Sequence, residues 1–415
     1  MNPRRGRTLA VRAAAGLLLL LALAAVFVMQ PGRLARLVLG TVGDGLGLEI
    51  GFSGDARYRL RGTPLLEVHE LSVRAPGDPE PLLRASRALV SLPWSTVRAR
   101  GAAPLTLERV ELDAPVLDLP RLQAWLAARP PGDRGLPTLR DGLQVDDGQV
   151  LGAGWTLRGL HLALPRFAPA APLRADARGV VALDALTLGF DLGLAATRAG
   201  RGASVAARGR VHLQGDGWRL PARVAARGPV TVREGGWWVA PLRFGAAGAW
   251  QGDGAPVAFV AGAHGPFRLR GGTATLAPMT LVLRGEDLVP GLTARGRAAL
   301  GPALLLEAGG TLAAWPAGWP TLPPPLDRRD GPWPFGLAYA GPPDLGGPVH
   351  ASLRRHGARA DASARVRDLL AWLDRDPDAG APLPPLRARA SVPRLEVAGA
   401  VLDGVEVELE PEAGE

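Results

Sequence analysis

The chain has 415 residues, no cysteine and 48 basic side chains, every one an arginine. Without lysine there is no P-loop, no pyridoxal Schiff base and no kinase strand lysine, and without cysteine there are no disulfides, thiolate zinc sites or cysteine nucleophiles. With a single Asn (Asn2) and a single Ile (Ile50), the missing lysine belongs to a general bias towards Arg, Ala, Gly and Leu, and the pI of about 11.2 chiefly reports that bias.

Position tells more than the sum. Six arginines and no acid lie in residues 1–36, while the other 42 arginines stand against 39 acids, so the remainder is almost neutral. A nucleic-acid binder is expected to hold its basic excess in the folded part, which argues against a nucleic-acid partner. Gly 55 and Pro 40 approach a composition typical of disorder, but 47% of residues are hydrophobic and they are patterned.

In chain order, a basic tail (1–12, with Arg4, Arg5, Arg7 and Arg12) precedes an uncharged run, 13–29, long enough to span a bilayer as a helix. Cationic flanks stay cytoplasmic, which places everything after Pro31 on the far side. The rival is a cleaved signal peptide with Ala22-Leu23-Ala24 as its small-x-small site. An anchor is preferred because Val26 to Met29 keep the run apolar past that site.

Beyond it, short period-two segments are punctuated by Gly, Pro and Asp, the pattern of antiparallel sheet. Leu186, Leu188, Phe190, Leu192 and Leu194 share one phase; so do Leu160, Leu162 and Leu164, then Tyr58 and Leu60, and finally Val405, Val407 and Leu409. Two segments change phase midway, Leu66 and Val68 to Leu71 and Val73, and Leu105 and Leu107 to Val110 and Leu112, as β-bulges do. Helical spacing is confined to 120–129 (Leu122, Trp125, Leu126, Arg129) and to Val366, Leu369, Leu370 and Leu373. Both share an Ala-Trp-Leu core, a match that biased composition produces by chance. Eleven prolines between Pro302 and Pro348 predict an irregular excursion over 301–350. The expectation is a mainly β chain: a transmembrane helix, then one elongated, curled antiparallel sheet with a few short helices. Its parts are a β region 30–130, a groove 131–300, the excursion, and a carboxy-terminal part 351–415.

Catalytic patterns are missing. The six histidines are dispersed, Asp146-Asp147-Gly148 suits a hairpin turn better than a metal site, and Gly43, Gly45 and Gly47 lack a dinucleotide-binding context. No Gly-x-Ser-x-Gly elbow occurs. The tryptophans, mostly beside Gly or Pro, read as caps on sheet ends. The expectation is no enzyme, no cofactor and no metal.

One combination points to a family. The basic tail and span are followed by Gly54-Asp55-Ala56-Arg57, then Leu65-Leu66-Glu67-Val68-His69-Glu70-Leu71-Ser72-Val73, Pro81-Leu82-Leu83-Arg84-Ala85, Val90-Ser91-Leu92-Pro93-Trp94, and Leu105 through Pro115. This order resembles the amino-terminal region of the AsmA family, relatives of the TamB-type envelope proteins, and 393–409 resembles that family's closing strand pair. The resemblance implies an inner-membrane anchor, a periplasmic β-groove that handles phospholipid in outer-membrane biogenesis, and no catalytic residues. The alternative is a scaffold that binds an envelope protein, its groove filled by its own side chains.

Overall fold

The computed structural model describes residues 31–59, 62–99, 106–128, 137–183, 186–199, 202–233, 236–252, 254–319, 321–322, 324, 326, 330–368, 385–397 and 400–410. The anticipated span 13–29, Arg4, Arg5, Arg7, Arg12, Leu60, Leu105, Arg129 and the helical positions 369–373 lie outside these residues. Among the described residues the protein is mainly β, with only short helices beside the strands. Among the described residues no helix is long and apolar enough to cross a membrane. The chain divides into two compact units, 1–151 with 159–169 and 152–158 with 170–415, so the division falls later than the 130/131 boundary read from the sequence.

The first unit contains helices α1 (Pro31–Leu46), α2 (Trp94–Ala99) and α3 (Leu119–Ala128). Its strands are β1 (Glu49–Phe52), β2 (Ala56–Arg59), β3 (Leu65–Arg74), β4 (Leu83–Ser91), β5 (Thr106–Leu107), β6 (Arg109–Asp113), β7 (Val116–Asp118), β8 (Thr138–Leu139), β9 (Leu143–Leu151) and β10 (Thr156–Leu164). Helix α1, absent from the sequence reading, starts on a proline, whose fixed φ suits a first turn. It ends in a Schellman cap: Gly47 takes φ 68°, the Leu48 N–H donates to the Gly43 carbonyl at 2.9 Å, and the Gly47 N–H donates to that of Asp44 at 3.3 Å. The glycine pattern at 43 to 47 therefore serves a helix end.

Strands β1 and β2 pair successively with β3, β3 with β4, β4 with β6 and β7, and β9 with β10. The phase change in β3 is a kink where Glu70 takes φ 54°, between the stretches paired with β1 and β2, so Leu66, Val68, Leu71 and Val73 are all buried. The second phase change has another cause. Leu107 belongs to a separate two-stranded sheet with β8, whereas Val110 and Leu112 belong to the main sheet.

The expectation of purely antiparallel pairing fails here, because β6 and β7 run parallel to β9. Such a pair needs a crossover connection, and α3, the helix anticipated over 120–129, provides it. Asp118 caps it, its carboxylate accepting from the Arg121 N–H at 2.9 Å. Nor is Asp146-Asp147-Gly148 a hairpin turn. It lies within β9, where Asp147 at φ 52° matches Ala114 at φ 46° on the parallel neighbour, so both strands kink at one level. The Ala114 N–H donates to Asp146 and the Gln149 N–H to Pro115, at 2.8 and 2.6 Å, which keeps the ladder bonded across the kink.

The apolar face of this sheet is covered. Ala35 and Leu39 of α1, 0% and 4% exposed, pack with Leu66, Val68, Leu71, Val73, Ala85 and Ala88, while Leu122 and Trp125 of α3 and Tyr58 of β2 close the margin. On the opposite face Arg87 bridges three strands through Glu67, Glu111 and Asp113, and the Asp113 bond holds its guanidinium more firmly protonated than usual. Replacing Leu39 by Ala should lower the stability of this unit by about 2–5 kcal/mol, whereas the exposed Arg36→Ala change should cost under about 0.5 kcal/mol, measured by chemical denaturation.

Among its described residues the second unit is a meander of fourteen strands, each antiparallel to the next. They are β11 (Leu173–Leu183), β12 (Leu186–Ala196), β13 (Ala203–Gly215), β14 (Trp218–Arg233), β15 (Gly236–Trp250), β16 (Val257–Arg270), β17 (Thr273–Gly285), β18 (Leu292–Leu300), β19 (Leu304–Ala314), β20 (Asp330–Gly341), β21 (Pro348–Arg355), β22 (Ala358–Arg365), β23 (Arg387–Val397) and β24 (Ala400–Leu409). The excursion anticipated over 301–350 is corrected: β19 and β20 lie inside it, and β20 sits between β19 and β21. Pro332 and Pro334 are tolerated because pairing with β21 begins only at Phe335, which leaves one side of their segment without a ladder partner.

Candidate functional site: an apolar groove

Side chains of successive strand residues point to opposite faces, so direct partners in neighbouring strands share a face. From Ala175 the partners run through Leu194, Ala207, Ala226, Phe244, Ala263, Leu281, Ala294, Gly310, Phe335, Leu353, Ala360 and Ala390 to Val407. No polar residue interrupts this line across fourteen strands. The adjoining row, which faces the other way, includes Arg174, Arg227, Arg243, His264, Arg295, Asp361, Arg389 and Glu408.

The apolar phase is the inner one. Most of its residues are buried or half-buried, with Ala222, Met279, Ala294, Ala308 and Leu312 under 9% exposed, although Phe244 and Val407 are 37% and 38% exposed; the polar phase is largely exposed. Glycines show the same asymmetry. A Cβ added at Gly209, Gly296 or Gly310 on the inner phase would overlap a backbone carbonyl of the next strand, whereas at Gly189 or Gly262 on the outer phase the nearest atom lies 3.7 or 3.8 Å away. The backbones crowd on one face only, as in a sheet that curls towards it. A cavity of about 1030 Å³ is lined by every strand from Pro278 of β17 to Leu409 of β24, and cavities of about 570, 780 and 720 Å³ lie along β11 to β15. At about 4.8 Å per strand the inner face has a contour of about 62 Å.

Of the residues singled out in the sequence, Leu186, Leu188, Phe190, Leu192 and Leu194 share the inner phase with Val405, Val407 and Leu409, although some 200 residues separate the two sets. Tyr58 instead packs on the closed core of the first unit, and Leu160, Leu162 and Leu164 are half-buried in β10 within that unit.

What the sequence reading missed is a bend line. Register shifts occur in four neighbouring strands at Gly228-Pro229, Ala240-Pro241, Gly265-Pro266 and Ala277-Pro278. The signal is an ungapped internal repeat, GPVTVREGGWWVAPLRF (228–244) and GPFRLRGGTATLAPMTL (265–281). In each copy the glycine of one strand abuts the proline carbonyl of the next, Gly228 on Pro241 and Gly265 on Pro278. Aromatic residues cluster near strand ends, as anticipated: Trp218 stacks on Trp250 at 4.3 Å, and Trp315 meets Trp319 and Trp333 at 5.0 and 4.8 Å.

Among the described residues no group of acidic or histidine side chains is arranged to hold a metal ion. On the outer phase Arg297 donates from Nε and Nη2 to Glu307 at 2.9 and 2.7 Å, which draws the Glu307 carboxyl below its ordinary value. A lowered folded value stabilises above the unfolded carboxylate range and is lost as pH falls through the folded one. The difference in stability between wild type and Arg297→Gln should therefore be present at neutral pH and vanish on acidification, as urea titrations across pH would show. Gly296→Ala should destabilise by about 1–3 kcal/mol through the backbone overlap, while Gly262→Ala should stay within about 0.5 kcal/mol in the same assay. No family model matches the chain, and neither a curated protein nor a solved structure is similar to it.

Proposed function

We propose that the chain is a bacterial inner-membrane protein, anchored by residues 13–29, that exposes its folded part to the periplasm and handles phospholipid in outer-membrane biogenesis. The observation that carries this reading is the apolar line from Ala175 to Val407. It is continuous, concave and, among the described residues of the second unit, overlaid by no second layer of helix or sheet. A water-filled apolar face of that extent is costly, and an acyl chain laid in it gains roughly 0.8 kcal/mol per buried methylene. Headgroups would follow the open margin, where strand ends and turns are polar. The resemblance to the AsmA family in 54–115 and 393–409 supports the same role. No catalytic residue, cofactor or nucleic-acid partner forms part of it.

A second reading, a scaffold for an envelope protein, draws on the stretch around β19 and β20. There Leu312, Trp333 and Tyr339 are only 3–4% exposed and fill the concavity with the protein's own side chains. Photo-reactive residues separate the two. Placed at Leu188, Val224 or Leu281 on the inner phase they should capture phospholipid, and at Gly189, Ala225 or Thr280 on the outer phase they should not. Phe190→Glu with Leu192→Glu should abolish capture at the neighbouring inner positions while leaving the circular dichroism of the chain unchanged. Equal capture on both phases, or none on the inner, would refute the lipid reading.

A further inference from the structure

On the outer phase of the second unit two cross-strand arginines face a glutamate, Arg297 with Glu307 and Arg389 with Glu408, both at 2.7 Å, while Arg354 faces Arg359. On β13, β14 and β15 like charges meet twice within three neighbouring strands. Arg210 is the direct partner of Arg223, and Arg227 of Arg243, while Arg208 stands two residues from Arg210 on the same face. Like charges directly opposite one another destabilise a sheet. Of these five, only Arg210 has an acidic partner among the described residues, Asp191 at 3.8 Å. All five are exposed.

We infer that this face docks on the phosphate headgroups of an anionic phospholipid bilayer. Guanidinium groups bind phosphate through paired N–H donors, and a two-dimensional array of phosphates neutralises arginines that no acid of the sheet reaches. The residues between the arginines favour this partner over others. They are small, Ala206, Ala225, Gly245 and Ala247, and Trp238, on the same phase of β15 beyond the bend, is covered by the Arg268 guanidinium at 4.2 Å, so no open aromatic ring stands between the arginines for stacking bases of a single-stranded nucleic acid. Between them no large apolar side chain stands to anchor a protein partner; Val260 of β16, opposite Ala247, is exposed at the edge of this group. What remains is an electrostatic surface, which suits headgroups. Because the arginines occupy the phase opposite the groove, this docking is independent of whether the groove carries lipid.

The test uses the full chain held in phosphatidylcholine nanodiscs, so that its apolar amino-terminal run is already occupied, with flotation of added vesicles as the readout. Wild type should bind vesicles containing phosphatidylglycerol at least tenfold more tightly than pure phosphatidylcholine ones, and lose that margin as salt rises past about 0.3 M. At on the order of fivefold per arginine, Arg208→Gln, Arg210→Gln and Arg223→Gln together should weaken binding about a hundredfold. Arg297→Gln with Arg389→Gln should leave it within twofold. The inference is overturned if the triple variant binds like wild type, if neutral and anionic vesicles bind alike, or if a single-stranded RNA binds wild type as tightly as the anionic vesicles. Lipid capture by the inner phase is scored separately, so loss of one result leaves the other standing.

Discussion

An apolar sheet face must be taken out of water, and the two units meet that demand in different ways. In the first, α1 and α3 lie over β3 and β4, and Ala35, Leu39, Val68 and Ala88 become a sealed core. In the second, no helix comparable to α1 or α3 lies on the sheet among the described residues, so the sheet curls around its own apolar phase. Curling requires backbones to converge on the inside, which explains why Gly209, Gly296 and Gly310 stand where even a methyl group would strike a neighbouring carbonyl. The glycine content that brings the composition close to a disordered one is, at these positions, a condition of curvature.

The groove was legible where alternation was strict and hydrophobic. Leu186 to Leu194 and Val405 to Leu409 each announced one phase, and strand pairing put both on one surface. Alternation was weaker where alanine and glycine filled the inner phase, as in 358–364, because small residues carry little periodic signal. The bulges of β14 to β17 stayed hidden for a related reason: a proline was read as a breaker, although a strand accepts it where the ladder already skips a pair. The same reading turned Asp330–Gly341 into an irregular stretch when it is a strand whose residues up to Pro334 lack a ladder partner on one side.

Parallel pairing and α1 were illegible for other causes. The β7–α3–β9 crossover joins strands separated by more than twenty residues, and nothing local in Val116 to Asp118 tells parallel from antiparallel. Helix α1 depends on burying Ala35 and Leu39 against strands that follow it, a tertiary demand that weak propensity over Gly-rich sequence does not reveal. Net charge misled in a similar way. Near neutrality over the folded part concealed the group of arginines on β13 to β15, four of five without an acidic partner among the described residues, and the Arg–Glu pairs at Arg297 and Arg389.

The paired segments 228–244 and 265–281 have a consequence for how such a protein changes in evolution. Each copy is one hairpin that touches only its neighbours in the meander, with its own bend and its own glycine-to-proline abutment. Gaining or losing a copy alters the contour by two strand spacings, about 10 Å, and preserves the phase of every strand that follows. Reach is then a quantity set in whole hairpins, adjustable by duplication of a 37-residue stretch of sequence without redesign of the surfaces at either end.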